Sequence, residues 1–181
     1  MALILIALIF FKPGIFKWLL PVSFLSDMVD GYLARRFKVK SILGAKLDSI
    51  ADDLTVVAGL IGLVVLKPGL IHNEATILII LFVMYVIQTV AALIKYHKLS
   101  GFHTYTAKTA AVFQGIFLIL VFLLPNIPYG LFFIAAITTA FDLIEEITLV
   151  IMLPKWEADV KGVFWVMRRR KNLRKSKHRV N

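Results

Sequence analysis

The stretch that decides the fold runs from Ser26 to Asp53 and reads SDMVDGYLARRFKVKSILGAKLDSIADD. It holds five of the eleven acidic residues of the chain, and apolar runs flank it on both sides. Four aspartates form two pairs at helical spacing, Asp27 with Asp30 and Asp48 with Asp52. Because positions three or four apart share a helix face, each pair lies on one face. We interpret the rest of the chain as an apolar scaffold that holds this acidic cluster near a membrane surface.

The composition is that of a membrane protein. The chain has 181 residues, enough for one domain; 60% of them are hydrophobic and the mean hydropathy is +0.85. Soluble domains are apolar in only about half of their residues. The absence of cysteine excludes disulfides and thiolate metal sites. The apolar N-terminus lacks the basic region and the small-residue cleavage site of a signal peptide.

Apolar segments between breakers predict an all-α, polytopic membrane protein with six transmembrane helices. The predicted helices are 1–11, 15–37, 44–66, 75–95, 107–124 and 129–153. A spanning helix needs roughly 20 residues. We therefore interpret the first segment as the second half of a spanning helix that is incomplete in this sequence; the alternative is a short re-entrant or interfacial helix. Residues 1–154 form the predicted transmembrane domain and residues 155–181 a basic cytoplasmic tail. We expect a loop at His72–Glu74.

The basic residues predict the orientation in the membrane. Eighteen of the 21 fall on the side that carries the acidic cluster and the tail, and three fall on the other side: Lys12, Lys17 and Lys67. Loops rich in Lys and Arg stay in the cytoplasm. We therefore expect an integral protein of the cytoplasmic (inner) membrane, with the acidic cluster and the tail in the cytoplasm. The tail either lies on anionic headgroups or serves only to set the topology.

The two aspartate pairs predict a metal site. A short link joins their helices, so the helices are antiparallel neighbours and four carboxylates converge. Like charges at membrane depth repel unless cations neutralise them. Oxygen ligands indicate Mg²⁺ or Mn²⁺, as one ion or as a pair suited to phosphoryl transfer. Small residues at Gly31, Ala34 and Gly44 allow a bulky group to approach the backbone, and Arg35 can pair with a phosphate. The structural alternative is a packing interface with buried ion pairs.

These residues carry a family resemblance. The spacing Asp27-x2-Asp30-Gly31-x2-Ala34-Arg35-x8-Gly44-x3-Asp48-x3-Asp52 resembles, without a gap, the signature of the CDP-alcohol phosphatidyltransferases (class I), with a phosphatidylglycerophosphate synthase-like member as the expected relative. The motif covers 26 residues, and the pattern of apolar helices extends the likeness over most of the chain. The resemblance implies a six-helix homodimer, in a phospholipid-biosynthesis pathway, that transfers a phosphatidyl group and releases CMP. The chain departs from the family pattern by lacking a complete first helix and the short amphipathic segment before it.

The resemblance also implies roles for the residues of the motif. The metal ligands are Asp27, Asp30 and Asp48, with Asp52 as general base and further contact to a metal ion. The CDP-binding residues are Asp27, Gly31, Ala34, Arg35, Gly44 and Asp48. Asp53 stands outside the signature, so a supporting role is expected for it. Direct attack of the acceptor hydroxyl on the phosphorus of CDP-diacylglycerol is the expected mechanism, and a covalent intermediate stays open.

The acceptor is less well defined by the sequence. Basic residues between the fourth and fifth helices suit a phosphorylated acceptor, and the candidates for binding it are Lys108, His103 and Lys95. The expected acceptor is glycerol 3-phosphate, with inositol phosphate or serine as alternatives; the simpler interpretation of these charges is topology. In the sixth helix, Asp142, Glu145 and Glu146 can pair with Arg35, with Lys108 or with a cationic acceptor, or can form a buried ion pair that fixes packing.

Two other classes of function stay open. An intramembrane prenyltransferase also uses aspartate pairs to hold Mg²⁺ and a diphosphate, but its acidic motifs lie on distant helices. A cation transporter with an acidic site leaves Gly31, Ala34, Arg35 and Gly44 unexplained. No nucleic-acid partner is expected.

Overall fold

The protein is helical throughout its described regular structure. A computed structural model describes residues 2–36, 42–97, 104–155, 157 and 160–169. The helices are α1 (Ala2–Phe11), α2 (Pro13–Arg36), α3 (Ile42–Leu66), α4 (Pro68–Asn73), α5 (Ala75–Tyr96), α6 (Tyr105–Leu123), α7 (Tyr129–Met152) and α8 (residues 163–169). The prediction of an all-α protein is confirmed. The six predicted helices begin and end within two residues of α1, α2, α3, α5, α6 and α7.

Two short helices were not predicted. The expected loop at His72–Glu74 is wrong for its first part, because α4 begins at Pro68 and continues to Asn73. Proline is favoured at the first position of a helix, where its missing N–H costs nothing, and here it follows the end of α3 at once. Leu70 is fully buried and holds this turn in place. The second helix is α8, which lies in the segment predicted to be a polar tail.

The chain divides into two compact units, and the first contains residues 1–75 and 115–128. Within it α1 packs against α2 and α3 through Leu5 and Ile9, which are almost fully buried. The ring of Phe16 meets that of Phe122 edge-on, with 5.1 Å between centroids. Both rings lie against Gly62, where a Cβ atom would be 2.7 Å from Phe16 Cζ. Glycine is required there because the space is already filled by two rings.

The second unit contains residues 76–114 and 129–181. Its core joins the ends of α5 and α7 to α8; the buried members are Ala92, Leu149, Val150, Leu153, Val160 and Val166. Gln114 on α6 donates a hydrogen bond of 2.6 Å to Thr139 on α7. Hydrogen bonds of this kind between polar side chains hold helices together in membrane proteins.

Two helices, α5 and α6, are long and apolar enough to cross a membrane within the described residues. Only 11% of the most apolar window of α5 and 28% of that of α6 is buried inside the protein. A core helix of a soluble protein would be mostly buried, so these exposed apolar surfaces indicate a membrane protein. In α3 the apolar part that the structure describes, Leu54–Leu66, is shorter than these two helices. The predicted count of six spans stays a prediction.

Candidate active site

The acidic signature lies on two helices that pack against each other. Asp27, Asp30, Gly31, Ala34 and Arg35 occupy the second half of α2, and Gly44, Asp48 and Asp52 occupy the first half of α3. The side chains of all eight lie outside the described residues, so the convergence of the carboxylates and the assigned roles stay predictions. What the structure does establish is the helical backbone at these positions and the pairing of the two helices.

The contact between Phe16 and Gly62 sets the register of this pair. Phe16 is near the start of α2 and Gly62 near the end of α3, and they touch, so the helices are antiparallel. Both antiparallel helices rise about 1.5 Å per residue. A residue a given number of positions after Phe16 therefore lies at the height of the residue the same number of positions before Gly62. The register therefore places Asp30 near the height of Asp48, and Ala34 near that of Gly44, to within about one helical turn. Asp27 comes near the turn between Asp48 and Asp52. The acidic pairs of the two helices thus lie at the same end of the helix pair.

Two buried hydroxyl residues lie next to the acidic pairs in the same register. Ser23 on α2 is one turn before Asp27, and Thr55 on α3 is one turn after Asp52; only 1% and 2% of these residues are exposed. Within the described part of the chain, Ser23 Oγ has no hydrogen-bond partner. A buried unpaired hydroxyl is uncommon and requires an explanation. Its position one turn from Asp27 extends the polar region from the carboxylates toward the middle of the helices.

The other end of the same two helices is closed by aromatic rings. Phe16 and Phe122 fill the space at Gly62, about 17 Å along α2 from Asp27. A cleft of about 490 Å³ lies beyond them, lined by Pro13, Gly14, Lys17, Leu66, Lys67, Phe122, Leu123, Leu124 and Pro125. Since it lies at the opposite end of α2 from the aspartates, this cleft is no part of the acidic site.

The donor atoms available near the aspartates fit a hard divalent cation. Mg²⁺ and Mn²⁺ prefer oxygen ligands such as carboxylates, and the aspartates of the signature lie on two neighbouring helices. Elsewhere, the described side chains contain no group of three or more His, Asp or Glu residues that could hold a metal. By the type of their oxygen atoms, the four aspartates fit the metal that the sequence predicts.

The candidates for acceptor binding differ in their surroundings. Lys95 Nζ donates hydrogen bonds to the carbonyl oxygens of Val150 (2.6 Å) and Ile151 (3.2 Å), near the end of α7. Lys108 is exposed on the first turns of α6, with its Nζ 5.8 Å from the centre of the Tyr105 ring. His103 lies outside the described residues. Lys108 thus presents its charge to solvent, whereas Lys95 uses its charge to cap a helix.

The acidic residues of α7 contact hydroxyl and backbone groups. Thr106 donates a hydrogen bond to Glu145 Oε2 and lies 3.4 Å from Asp142. Glu145 Oε1 accepts a bond of 2.9 Å from the backbone N–H of Val163, at the start of α8. Among the described side chains no salt bridge joins Asp142 or Glu145 to Lys108. These contacts attach the start of α8 to α7, a role that the sequence does not predict.

The sequence contains only a weak indication of the contacts made by Thr104 and Thr106. Thr104 is fully buried and its Oγ1 accepts the N–H of Ala107 at 3.0 Å, which caps the start of α6. A threonine before an apolar run is a recognised start signal for a helix. It predicts the cap, but it does not predict that a second threonine two residues later bonds to Glu145.

The structure thus shows an all-helical membrane protein whose aspartate signature lies on two antiparallel neighbouring helices. A sequence model of the CDP-alcohol phosphatidyltransferase family matches residues 1–145, and the chain belongs to that family. Its members are phosphotransferases, which transfer a phosphatidyl group from a CDP-alcohol to an acceptor. The match includes the whole acidic signature. No solved structure matches the chain.

Proposed function

We propose that this enzyme transfers the phosphatidyl group of CDP-diacylglycerol to an alcohol, for which glycerol 3-phosphate is the best candidate, with release of CMP. The observation that carries the proposal is the match of residues 1–145 to the CDP-alcohol phosphatidyltransferase family, and the antiparallel pairing of the two helices that carry the signature supports it. The small residues Ala34 and Gly44, which lie at similar heights on these helices, leave room for a nucleotide diphosphate beside the backbone.

Different residues of the signature have different roles in the proposed reaction. Asp52 accepts the proton of the acceptor hydroxyl, whose oxygen attacks the phosphorus that carries the diacylglycerol. The bond from this phosphorus to the bridging oxygen of the diphosphate breaks, and CMP leaves with that oxygen. Arg35, one turn from Gly31, pairs with a phosphate of the nucleotide. Direct transfer requires only one base, which is why we favour it over a covalent intermediate.

The metal would be held by Asp27, Asp30, Asp48 and Asp52. A divalent ion there, Mg²⁺ or Mn²⁺ and as one ion or two, would neutralise the diphosphate and stabilise the departing CMP. Without a cation, four carboxylates in one site would repel one another, which raises the cost of ionisation. The contribution of the protein is to hold these ligands on two helices that pack tightly at their far end.

The acceptor assignment rests on exposed positive charge. Lys108, with His103 and Lys95 as further candidates, offers a partner for a phosphorylated alcohol such as glycerol 3-phosphate or inositol phosphate. Serine is disfavoured because both oxygens of Glu145 already accept hydrogen bonds, which leaves that carboxylate less able to bind an ammonium group.

The lengths of the helices support a bundle of six spans. Of the helices proposed to span, α2, α3, α5, α6 and α7 have 19 to 25 residues, close to the roughly 20 that cross a bilayer, whereas α1 has ten. We propose that α1 is the remaining member of the bundle, that residues 1–154 form the transmembrane domain and residues 155–181 the cytoplasmic tail, and that two copies form a homodimer in the cytoplasmic membrane, with Asp52 on the cytoplasmic side.

The first test compares two adjacent aspartates. Replacing Asp52 with Asn should lower CMP release about 10²- to 10⁴-fold, because the amide cannot accept the proton. Asp53→Asn is the matched control, since it makes the same change one position outside the signature and should retain most of the activity. Release of radiolabelled CMP from CDP-diacylglycerol by purified protein measures both variants. Equal activity of the two variants would remove Asp52 from the role of base.

The second measurement identifies the acceptor and separates the alternatives. Proteoliposomes with Mg²⁺ and CDP-diacylglycerol receive glycerol 3-phosphate, an inositol phosphate or serine, one at a time. The expected result is CMP release with the glycerol phosphate. Absence of CMP release with every acceptor would contradict the proposal. Parallel incubation with a prenyl diphosphate, and a cation-flux measurement, test the prenyltransferase and the transporter.

A further inference from the structure

The segment of residues 160–169, hereafter the C-terminal segment, has two distinct sides. Val160 and Val166 are buried in the core with Ala92 of α5 and Leu149 of α7. The other side exposes large apolar groups next to charge: Phe164 is 66% exposed, Trp165 45% and Met167 58%, and Arg168 and Arg169 follow at once. One side of the segment is thus buried against the protein, and the other side is exposed.

The attachment of this segment to the protein is specific. Val163 donates its N–H to Glu145, and Tyr105 donates its N–H to the carbonyl of Lys161 at 3.5 Å. The rings of Tyr105 and Trp165 have centroids 5.6 Å apart. Gly162 makes the approach possible: its φ is +145°, which favours glycine, and a Cβ there would be 2.8 Å from Glu145 Oε1.

The attachment also sets the depth of the segment. Ala92 lies in the last turns of α5, a helix apolar enough to cross a membrane, and Leu153 directly follows α7. A segment packed on these two ends lies where the helices leave the bilayer. Aromatic residues followed by arginines are the composition of interfacial segments, with rings at the level of the headgroups and cations on the phosphates.

We propose that the C-terminal segment is a docking surface for anionic lipid headgroups of the cytoplasmic leaflet. Charge complementarity supports this partner, because residues 155–181 contain ten basic and two acidic residues. Glu145 and Gly162 hold the segment at the membrane surface, so lipid binding is built into the fold and does not depend on the tail alone. The inference rests on the membrane location and orientation proposed above, and not on the reaction.

The test uses Trp165 as the only tryptophan of the full chain, after Trp18→Phe and Trp156→Phe. The protein is placed in nanodiscs of phosphatidylcholine alone or with about one-third phosphatidylglycerol, with and without brominated acyl chains. Quenching of Trp165 fluorescence by the brominated chains should be about twofold stronger in the anionic discs. Salt at about 0.5 M should remove most of the difference, because it screens exposed charges.

Two pairs of variants separate lipid binding by the segment from a general effect of substitution on the protein. Lys161→Gln with Arg168→Gln should weaken the dependence on anionic lipid, whereas Lys12→Gln with Lys17→Gln, at the other end of the helices, should leave it unchanged. Gly162→Ala should displace the segment and weaken quenching, whereas Gly130→Ala, which has open space around it, should not. Size-exclusion chromatography verifies that each variant is folded.

Three results would overturn the proposal. One is equal quenching in neutral and anionic discs; another is emission typical of an indole in water in both. The third is a larger response of Trp165 to a short RNA than to anionic lipid, which would make the surface a nucleic-acid site. None of these measurements needs catalysis, so an inactive enzyme with lipid-dependent quenching would contradict only the proposed function.

Discussion

The contacts of Lys108 and Lys95 in the structure distinguish two residues that look alike in the sequence. It and Lys95 are both lysines on the side of the chain predicted to be cytoplasmic, and the sequence does not distinguish them. In the structure Lys95 donates to two carbonyl oxygens of α7, whereas the ammonium of Lys108 lies near the exposed Tyr105 ring. Lys108 is therefore the better candidate for binding an incoming phosphate.

Replacing Lys108 with Ala should raise the KM for glycerol 3-phosphate about tenfold, because a charged hydrogen bond to the acceptor is lost. The KM for CDP-diacylglycerol should change little. Lys155→Ala, which removes an exposed lysine just after α7, is the control and should affect neither value. Steady-state kinetics with each substrate varied in turn provides the measurement. An unchanged acceptor KM would leave Lys108 as a residue that only sets topology.

At the scale of helices, the sequence predicts α5 and α7 well because breakers delimit them. Pro125 and Pro128 separate α6 from α7, and the apolar runs between such points are long. The same reasoning gave the end of α3 at Leu66 but missed α4, because proline not only ends one helix but also begins another. It failed at α8 because seven residues between charged runs carry too little periodicity to identify a helix.

The contacts of the functional residues were likewise predictable only in part. Spacing alone placed the four aspartates on two neighbouring helices, since helical periodicity fixes which positions share a face. The bond from Val163 to Glu145 could not be predicted in this way, because a backbone N–H is available at almost every residue and leaves no mark in the sequence. The conformation of Gly162 identifies the contact only after the fold is known.

Gly62 tests the pairing of α2 with α3. Gly62→Ala should lower the free energy of unfolding by about 1–3 kcal/mol, because the new methyl group overlaps the Phe16 ring. Gly115→Ala on α6 has open space around it and should be neutral or stabilising by up to about 1 kcal/mol. Thermal unfolding of both purified variants in one detergent measures the difference. Equal stability would contradict the register on which the active site is built.

For the whole molecule, the strongest prediction is the orientation. The chain contains no cysteine, so a single introduced thiol reports its own side of the membrane. Lys12→Cys and Lys155→Cys are both at exposed positions, and the distribution of basic residues predicts that they lie on opposite sides. In right-side-out vesicles a membrane-impermeant maleimide should label only Lys12→Cys. Labelling of Lys155→Cys instead would place the acidic signature outside the cytoplasm.

The pairing of α2 with α3 has a consequence for the permeability of the bilayer. Along α2 and α3, buried Ser23 and Thr55 follow the end that carries Asp30 and Asp48, and the rings of Phe16 and Phe122 come last. With the membrane topology proposed above, water and ions that enter from the aspartate end would meet these aromatic rings before the other side. Such an enzyme would process charged headgroups inside the membrane without dissipating the proton gradient across it.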